Sequence, residues 1–274
     1  MSEYFVVGLD IGSATAKAVL VDNDGKICAY AVRPTGGRLV QSAEDVKREV
    51  LSQVGVREDL VKAIITTGYG RDIVQNKTKS LTEITCHAKG AYIIKPEIRF
   101  VIDIGGQDSK AILLEPDGQV GRFEMNDKCA AGTGRFLEVM ARTLGIHLDE
   151  MGDIAVRSEK CSKISSTCTV FAESEVISLL AQGEEIPSVV SGLCRAIAER
   201  VYGLASRVGI TSPIMMTGGV AKNKGVVSWL SKTLKQELIV PEEPQIIGAL
   251  GASMIGVEWV KKNNQAVNKI TQNI

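Results

Sequence analysis

Residues 10–25 read DIGSATAKAVLVDNDG, and residues 103–118 read DIGGQDSKAILLEPDG. The two stretches align without a gap and share eight of sixteen positions: Asp, Ile, Gly, Lys, Ala, Leu, Asp and Gly. Each follows an apolar run, residues 5–9 and 100–102, that predicts a strand delivering an acidic residue at its end. A glycine turn comes next, then a second apolar run (18–21 and 111–114), then Asp-Gly. Asp-Gly between apolar runs is a strong hairpin signal, because the tight turn needs positive φ. Two such hairpins facing each other would set two carboxylates and two clusters of backbone amides around one ligand.

The residue types in the turns point to phosphate. Gly12 and Gly105 let backbone N–H groups come close to phosphate oxygens, with no Cβ in the way. Ser13 and Thr15 add hydroxyl donors. Lys17 reads two ways, as a point charge on the phosphate or as a solvated residue at a strand edge. Asp10 and Asp103 repel phosphate; the task open to them is to hold Mg²⁺ through water, since Mg²⁺ keeps much of its shell and takes one or two carboxylates plus phosphates. Gln107 and Asp108 stand where the second turn would orient an attacking water. One hairpin alone is an ordinary glycine turn. The gapless pair carries the argument.

The whole chain narrows the function classes. At 274 residues it forms one large or two ordinary domains, and the duplication favours two. Lys plus Arg balances Asp plus Glu at 32 each, so no long-range field selects nucleic acid or an anionic membrane as partner. The start is acidic and polar and enters a strand within five residues, so no export signal is expected. The longest nearly apolar stretch, 246–257, is too short to span a bilayer and predicts a buried helix. Six cysteines without export read as thiols or metal ligands, and a cytoplasmic location is expected.

A pass along the chain predicts a third strand at 27–32, then a helix at 42–54 with Ser42 as N-cap and Asp45 as its box partner. A strand at 63–67 runs into Gly68-Tyr69-Gly70, followed by a helix at 83–91. Beyond the second copy come helices near 135–144, 171–181 and 187–208, and a strand at 214–217 that meets Gly218-Gly219. Strands alternate with helices, so α/β layers are expected. The polar tail after Lys261 is expected to fray.

Two phosphate hairpins followed by MMTGGVAKN at 215–223 resemble the actin, hexokinase and Hsp70 superfamily of ATPases. No GxxxxGKS or GxxxxGKT stretch is present to suggest a P-loop instead. That resemblance implies two actin-like (ribonuclease H-like) α/β domains around a nucleotide cleft, 1–98 with 243–274 as one and 99–242 as the other. Five longer stretches narrow it: TTGYGR (66–71), EITCHAKGA (83–91), DIGGQD (103–108), NDKCAAGTGRF (126–136) and SSTCTVFAESEVISLL (165–180). In this order they resemble the activators of 2-hydroxyacyl-CoA dehydratases, a family that includes the ATPase subunits of benzoyl-CoA reductase.

Cys129 and Cys168 each precede a helical pattern. A thiolate is favoured at a helix N-terminus, and the same free N–H groups suit an anionic metal–sulfur cluster. A four-iron four-sulfur (4Fe-4S) cluster takes four thiolates. The resemblance implies one such cluster shared by a homodimer, with Cys129 and Cys168 from each subunit. It further implies ATP and Mg²⁺ as cofactors and a single low-potential electron, taken from ferredoxin or flavodoxin and delivered to an iron–sulfur dehydratase. A benzoyl-CoA-type or double-cubane-cluster reductase is the alternative partner, and the host is expected to be anaerobic.

Site roles carry over by the same resemblance. Gly12, Ser13, Ala14, Thr15, Ala16 and Lys17 surround the phosphates, and Gly105, Gly106 and Gln107 face them from the other domain. Gly132, Thr133 and Gly134 make a further turn near the nucleotide. Gly218, Gly219, Lys222, Asn223 and Gln245 lie towards the adenosine, with Lys222 where some family members carry glutamine. Catalysis falls to Asp10, Asp103, Gln107 and Asp108. Cys28 and Cys194 read as small buried hydrophobes. Cys86 and His87 are adjacent on a helix and so do not face the same way. Cys161 lies outside the family motif, and His147 reads as a surface or packing residue. Two readings of another class are a small-metabolite kinase, for which the chain lacks long insertions, and a non-catalytic ATP-binding dimer with inert thiols.

Overall fold

A computed structural model describes residues 4–165 and 168–271, with side chains to 265. The chain divides into two units, 1–96 with 245–274, and 97–244.

In the first unit, β1 (Phe5–Ile11), β2 (Thr15–Asp22) and β3 (Ile27–Pro34) form an antiparallel meander. Helix α1 (Leu39–Gln53) then crosses to β4 (Val61–Thr67), parallel to β1, and β5 (Lys79–Ser80) with α2 (Glu83–Ile94) follows. The second unit repeats this opening with β6 (Phe100–Ile104), β7 (Ser109–Leu114) and β8 (Val120–Asn126). It then runs through α3 (Gly134–Leu144), α4 (Met151–Arg157), α5 (Thr169–Ala181) and α6 (Ile186–Val208) to β9 (Ile214–Thr217), α7 (Lys224–Leu234) and β10 (Leu238–Ile239). Helix α8 (Ile247–Thr271) belongs to the first unit.

The sheets are ordered β3-β2-β1-β4-β5 and β8-β7-β6-β9-β10, so the sequence repeat is a repeat of wiring. In both, the acidic residue and the lysine of the repeat are direct cross-strand partners, Asp10 with Lys17 and Asp103 with Lys110. Every residue of β1 is buried. The reason is that both faces of the strand are covered, which yields a continuous apolar run rather than alternation. Val7, Leu9 and Ile11 join a core with Val46 and Val50 of α1, while Val6 joins one with Leu250 and Val257 of α8. The second unit has one large core, in which Phe100, Ile102 and Ile104 meet Phe136 and Met140 of α3 and Leu193 and Ile197 of α6.

Two expectations are corrected at helix ends. Helix α1 starts at Leu39 after Arg38, and Ser42, expected as its N-cap, is buried inside it with its hydroxyl donating to the Thr35 carbonyl at 3.0 Å. That carbonyl also accepts the Arg38 N–H at 3.0 Å, so the serine adds a second hydrogen bond that ties the helix to the loop before it. The tail after Lys261, expected to fray, continues α8 to Thr271. No Gly or Pro interrupts 257–271, so nothing in the sequence stops the helix there.

Candidate nucleotide and thiol site

Each unit builds the same local arrangement around its acidic residue. In the first unit, Asp10, one residue before the end of β1, is buried, and the Lys17 ammonium lies 3.0 Å from its Oδ2. The register of β1 against β2 places them together, so Lys17 is an ion-pair partner and not a solvated edge residue. In the second unit, Lys110 is only 2 % exposed and bridges Asp103 at 3.3 Å and Asp108 at 2.7 Å. Asp103 also accepts the Thr217 hydroxyl on Oδ1 at 2.9 Å. Both carboxylates are therefore held by an ammonium group. That donor set suits a hydrated Mg²⁺ reached through water, because a directly bound ion would have to displace the lysine.

The turns show which amides face outwards. The Gly12 N–H donates to the Thr15 carbonyl at 3.0 Å, and the Gly105 N–H to the Asp108 carbonyl at 2.9 Å. These glycine amides close the turns. Among the described residues, the N–H groups of Ser13, Ala14, Gly106, Gln107 and Asp108 donate to no protein acceptor. A row of free amides just past a glycine is an anion-binding concavity. Thr35 braces the first turn, giving its hydroxyl to the Gly12 carbonyl at 3.0 Å and its N–H to that of Ala14 at 2.9 Å. Thr15 and Ala16 open β2, with Ala16 buried. Gln107 is exposed, whereas Asp108 is folded back onto Lys110.

The duplication also reaches further than the sixteen-residue match. The strand parallel to each acidic strand ends in Thr-Gly, at 67–68 and 217–218. Both glycines have positive φ, +92° and +86°, and a Cβ there would stand 2.6 Å from Asp10 Oδ1 and 2.9 Å from Asp103 Oδ1. Sequence reasoning singled out each glycine but not their equivalence; the shared Thr-Gly after an apolar strand was the available signal. It also passed over Lys110, although that lysine is one of the eight identical positions.

The loop bearing Cys129 is fastened to the second turn. Gly134 N–H donates to the Gly105 carbonyl and Arg135 N–H to the Gly106 carbonyl, each at 2.8 Å. Thr133 is buried and gives its hydroxyl to the Ala130 carbonyl at 2.7 Å, while the Asn126 amide donates to the Cys129 carbonyl at 2.8 Å. Gly132 turns the loop with φ +88°. Cys129 is half-buried, four residues ahead of the Thr133 cap of α3. Cys168 is exposed and is itself the N-cap of α5. Next to it, Val170 and Phe171 are each 67 % exposed, and Ile177 further along α5 is exposed too.

The other thiols are placed differently. Burial pushes the Cys86 and Cys194 thiols up to about 12, so neither is a ready thiolate at neutral pH. Cys28 donates to the Lys26 carbonyl and Cys161 to that of Ser162. Among the described residues, no three His, Cys, Asp or Glu side chains gather as a metal group. Among the described residues one chain thus offers no complete cluster site; of its thiols Cys168 is exposed, Cys28, Cys129 and Cys161 are half-buried, and Cys86 and Cys194 are buried.

Towards the expected adenosine end, Lys222 pairs with Glu243 at 2.9 Å, and the Asn223 side chain caps α7 by accepting the Val226 N–H at 3.0 Å. Gly218 and Gly219 stand at the turn after β9, and Gln245 belongs to the first unit.

Known proteins match this arrangement along its length. The BadF/BadG/BcrA/BcrD ATPase family matches residues 7–256. An activator of lactoyl-CoA dehydratase from Anaerotignum propionicum is 47% identical, over 94% of this chain and 99% of that protein. An (R)-2-hydroxyglutaryl-CoA dehydratase activating ATPase from Acidaminococcus fermentans is 42% identical, over 94% of this chain and 99% of its own. The structure of the activator of the 2-hydroxyisocaproyl-CoA dehydratase from Clostridium difficile with bound ADPNP has a TM-score of 0.91 to this chain at 40% identity, covering 96% of this chain and 97% of that one.

Proposed function

Because the chain belongs to the BadF/BadG/BcrA/BcrD ATPase family, we propose that it is the ATP-hydrolysing activator of a 2-hydroxyacyl-CoA dehydratase. In this role it passes a low-potential electron to that partner. The observation that carries the reading is the backbone link from Gly105 and Gly106 to Gly134 and Arg135. It joins a phosphate turn to the loop holding a half-buried thiol, so any shift of the turn on nucleotide exchange moves that loop.

The free amides after Gly12 and Gly105 bind the phosphates of ATP. Asp10 and Asp103, oriented by Lys17 and Lys110, hold the waters of Mg²⁺. Gln107, exposed beside the second turn, is the residue open to an attacking water. Gly219, Lys222, Asn223 and Gln245 remain the candidates for adenosine.

Cys129 and Cys168 would hold half of a 4Fe-4S cluster, and a second copy of the chain the other half. The cluster, when bound, supplies one-electron chemistry at low potential. The fit rests on Cys129 and Cys168 each standing at or just ahead of a helix start and open to solvent at least in part, on the burial of Cys86 and Cys194, and on exposed apolar side chains at Val170 and Phe171 beside Cys168. A homodimer closed over that surface would bury it and complete the ligand set. Ferredoxin or flavodoxin is the proposed donor, in an anaerobic cytoplasm.

The test is anaerobic purification followed by iron analysis and reconstitution with lactoyl-CoA, 2-hydroxyglutaryl-CoA and 2-hydroxyisocaproyl-CoA dehydratases. The expected result is about two irons per chain and activation that requires ATP, Mg²⁺ and a reductant. Cys129→Ser and Cys168→Ser should lose the iron, while Cys28→Ala and Cys194→Ala keep it. Full iron in Cys129→Ser, or activation without ATP, would overturn the proposal.

A further inference from the structure

The repeated halves differ at the threonine that ends the parallel strand. In the second unit the Thr217 hydroxyl donates to Asp103 at 2.9 Å. In the first, the equivalent Thr67 turns away and donates to the Leu81 carbonyl at 3.1 Å. Asp10 is therefore left without the threonine donor its counterpart has.

A side chain from outside the repeat stands in that neighbourhood. His87 on α2 is 4 % exposed. A Cβ built on Gly248, in the first turn of α8, would lie 2.9 Å from His87 Nε2 and 3.2 Å from Asp10 Oδ2. The imidazole and the carboxylate thus face the same small space, and only a glycine leaves it open. The packing of α2 on α8 sets this geometry. A Cβ on Gly90 would meet the Ile247 carbonyl at 2.1 Å, and one on Gly251 the Cys86 carbonyl at 1.8 Å. The two backbones touch, and that contact carries His87 up to the end of β1.

We propose that His87 is a positioning residue for Asp10. With Lys17 at 3.0 Å from the same Oδ2, it fixes the carboxylate's orientation at the phosphate turn, through a hydrogen bond across one water in the space over Gly248. The inference rests on the assignment of Asp10 to the nucleotide site. It makes the two repeated carboxylates unequal: Asp103 is held by groups of the repeat itself, and Asp10 needs a helix that the repeat does not encode.

Gly248→Ala tests this by placing a methyl group between imidazole and carboxylate, with a thermal melt to show that the variant folds. The expected result is a fall of about 10-fold or more in kcat for ATP, the size typical of a lost supporting hydrogen bond, with KM for ATP held within about twofold. His87→Ala should behave alike, and His87→Gln, which keeps an N–H donor, should recover most of the loss. His87→Leu, which keeps bulk without a donor, should not. Wild-type turnover in Gly248→Ala and His87→Ala, or no recovery in a folded His87→Gln, would overturn the inference. Wild-type turnover in Asp10→Asn would instead overturn the assignment beneath it.

Discussion

At the scale of single residues, Lys110 has the most to hold. It is buried and pairs with two carboxylates, and removing it takes away an ammonium group that both share. Lys110→Met is expected to cost about 3–5 kcal/mol in urea unfolding, the usual penalty for orphaning a buried charge. Adding Asp103→Asn should recover part of it; an unchanged midpoint in Lys110→Met would mean that the bridge contributes nothing. The lysine was visible as a repeated letter, yet its pairing was not, because ion pairs depend on strand register. Cys86 and Cys194 give a pH prediction. Each thiol ionises near 9.0 when unfolded and near 12 when folded. The unfolded chain therefore loses protons first, so this contribution to stability is complete below about pH 9 and is lost as pH rises towards 12. Denaturation midpoints of wild type and Cys194→Ala should converge over that interval, and parallel curves would refute it.

At the scale of elements, caps decide where helices begin. Asn223 was expected near adenosine, and the structure assigns its side chain to the first turn of α7. Asn223→Ala should destabilise by about 1 kcal/mol, while Asn223→Ser keeps a capping oxygen and most of the stability. A KM for ATP that rises in Asn223→Ser would separate a nucleotide contact from the cap. An Asn223→Ala protein as stable as wild type would show that the cap is idle. Apolar strands and long helices were legible from periodicity. The seven-residue α4, α7 and edge strand β8 were not predicted, and β8 shows why. Its pattern is mostly exposed, with Phe123 and Met125 facing out, so no buried face imprints a period on it.

At the scale of the whole molecule, the question is what meets the surface around Cys168. Among the described residues no helix is long and apolar enough to cross a membrane. In the proposed dimer, exposed Val170 and Phe171 would meet a second copy of the chain. Phe171→Glu is expected to shift sedimentation from dimer to monomer and to lower bound iron below half of wild type, because a buried carboxylate opposes closure. Dimers with full iron in this variant would place the subunit contact elsewhere.

The repeat, the glycine turns and the family-specific stretches were all present in the linear chain, since each is a local pattern that must recur wherever its backbone shape is needed. Three things waited for the tertiary structure: the lysine that pairs with each acidic residue, the Thr-Gly that closes over it, and the histidine beside only one of them. These depend on strand register and on how closely two helices approach, and neither distance is written in the spacing of residues along one segment.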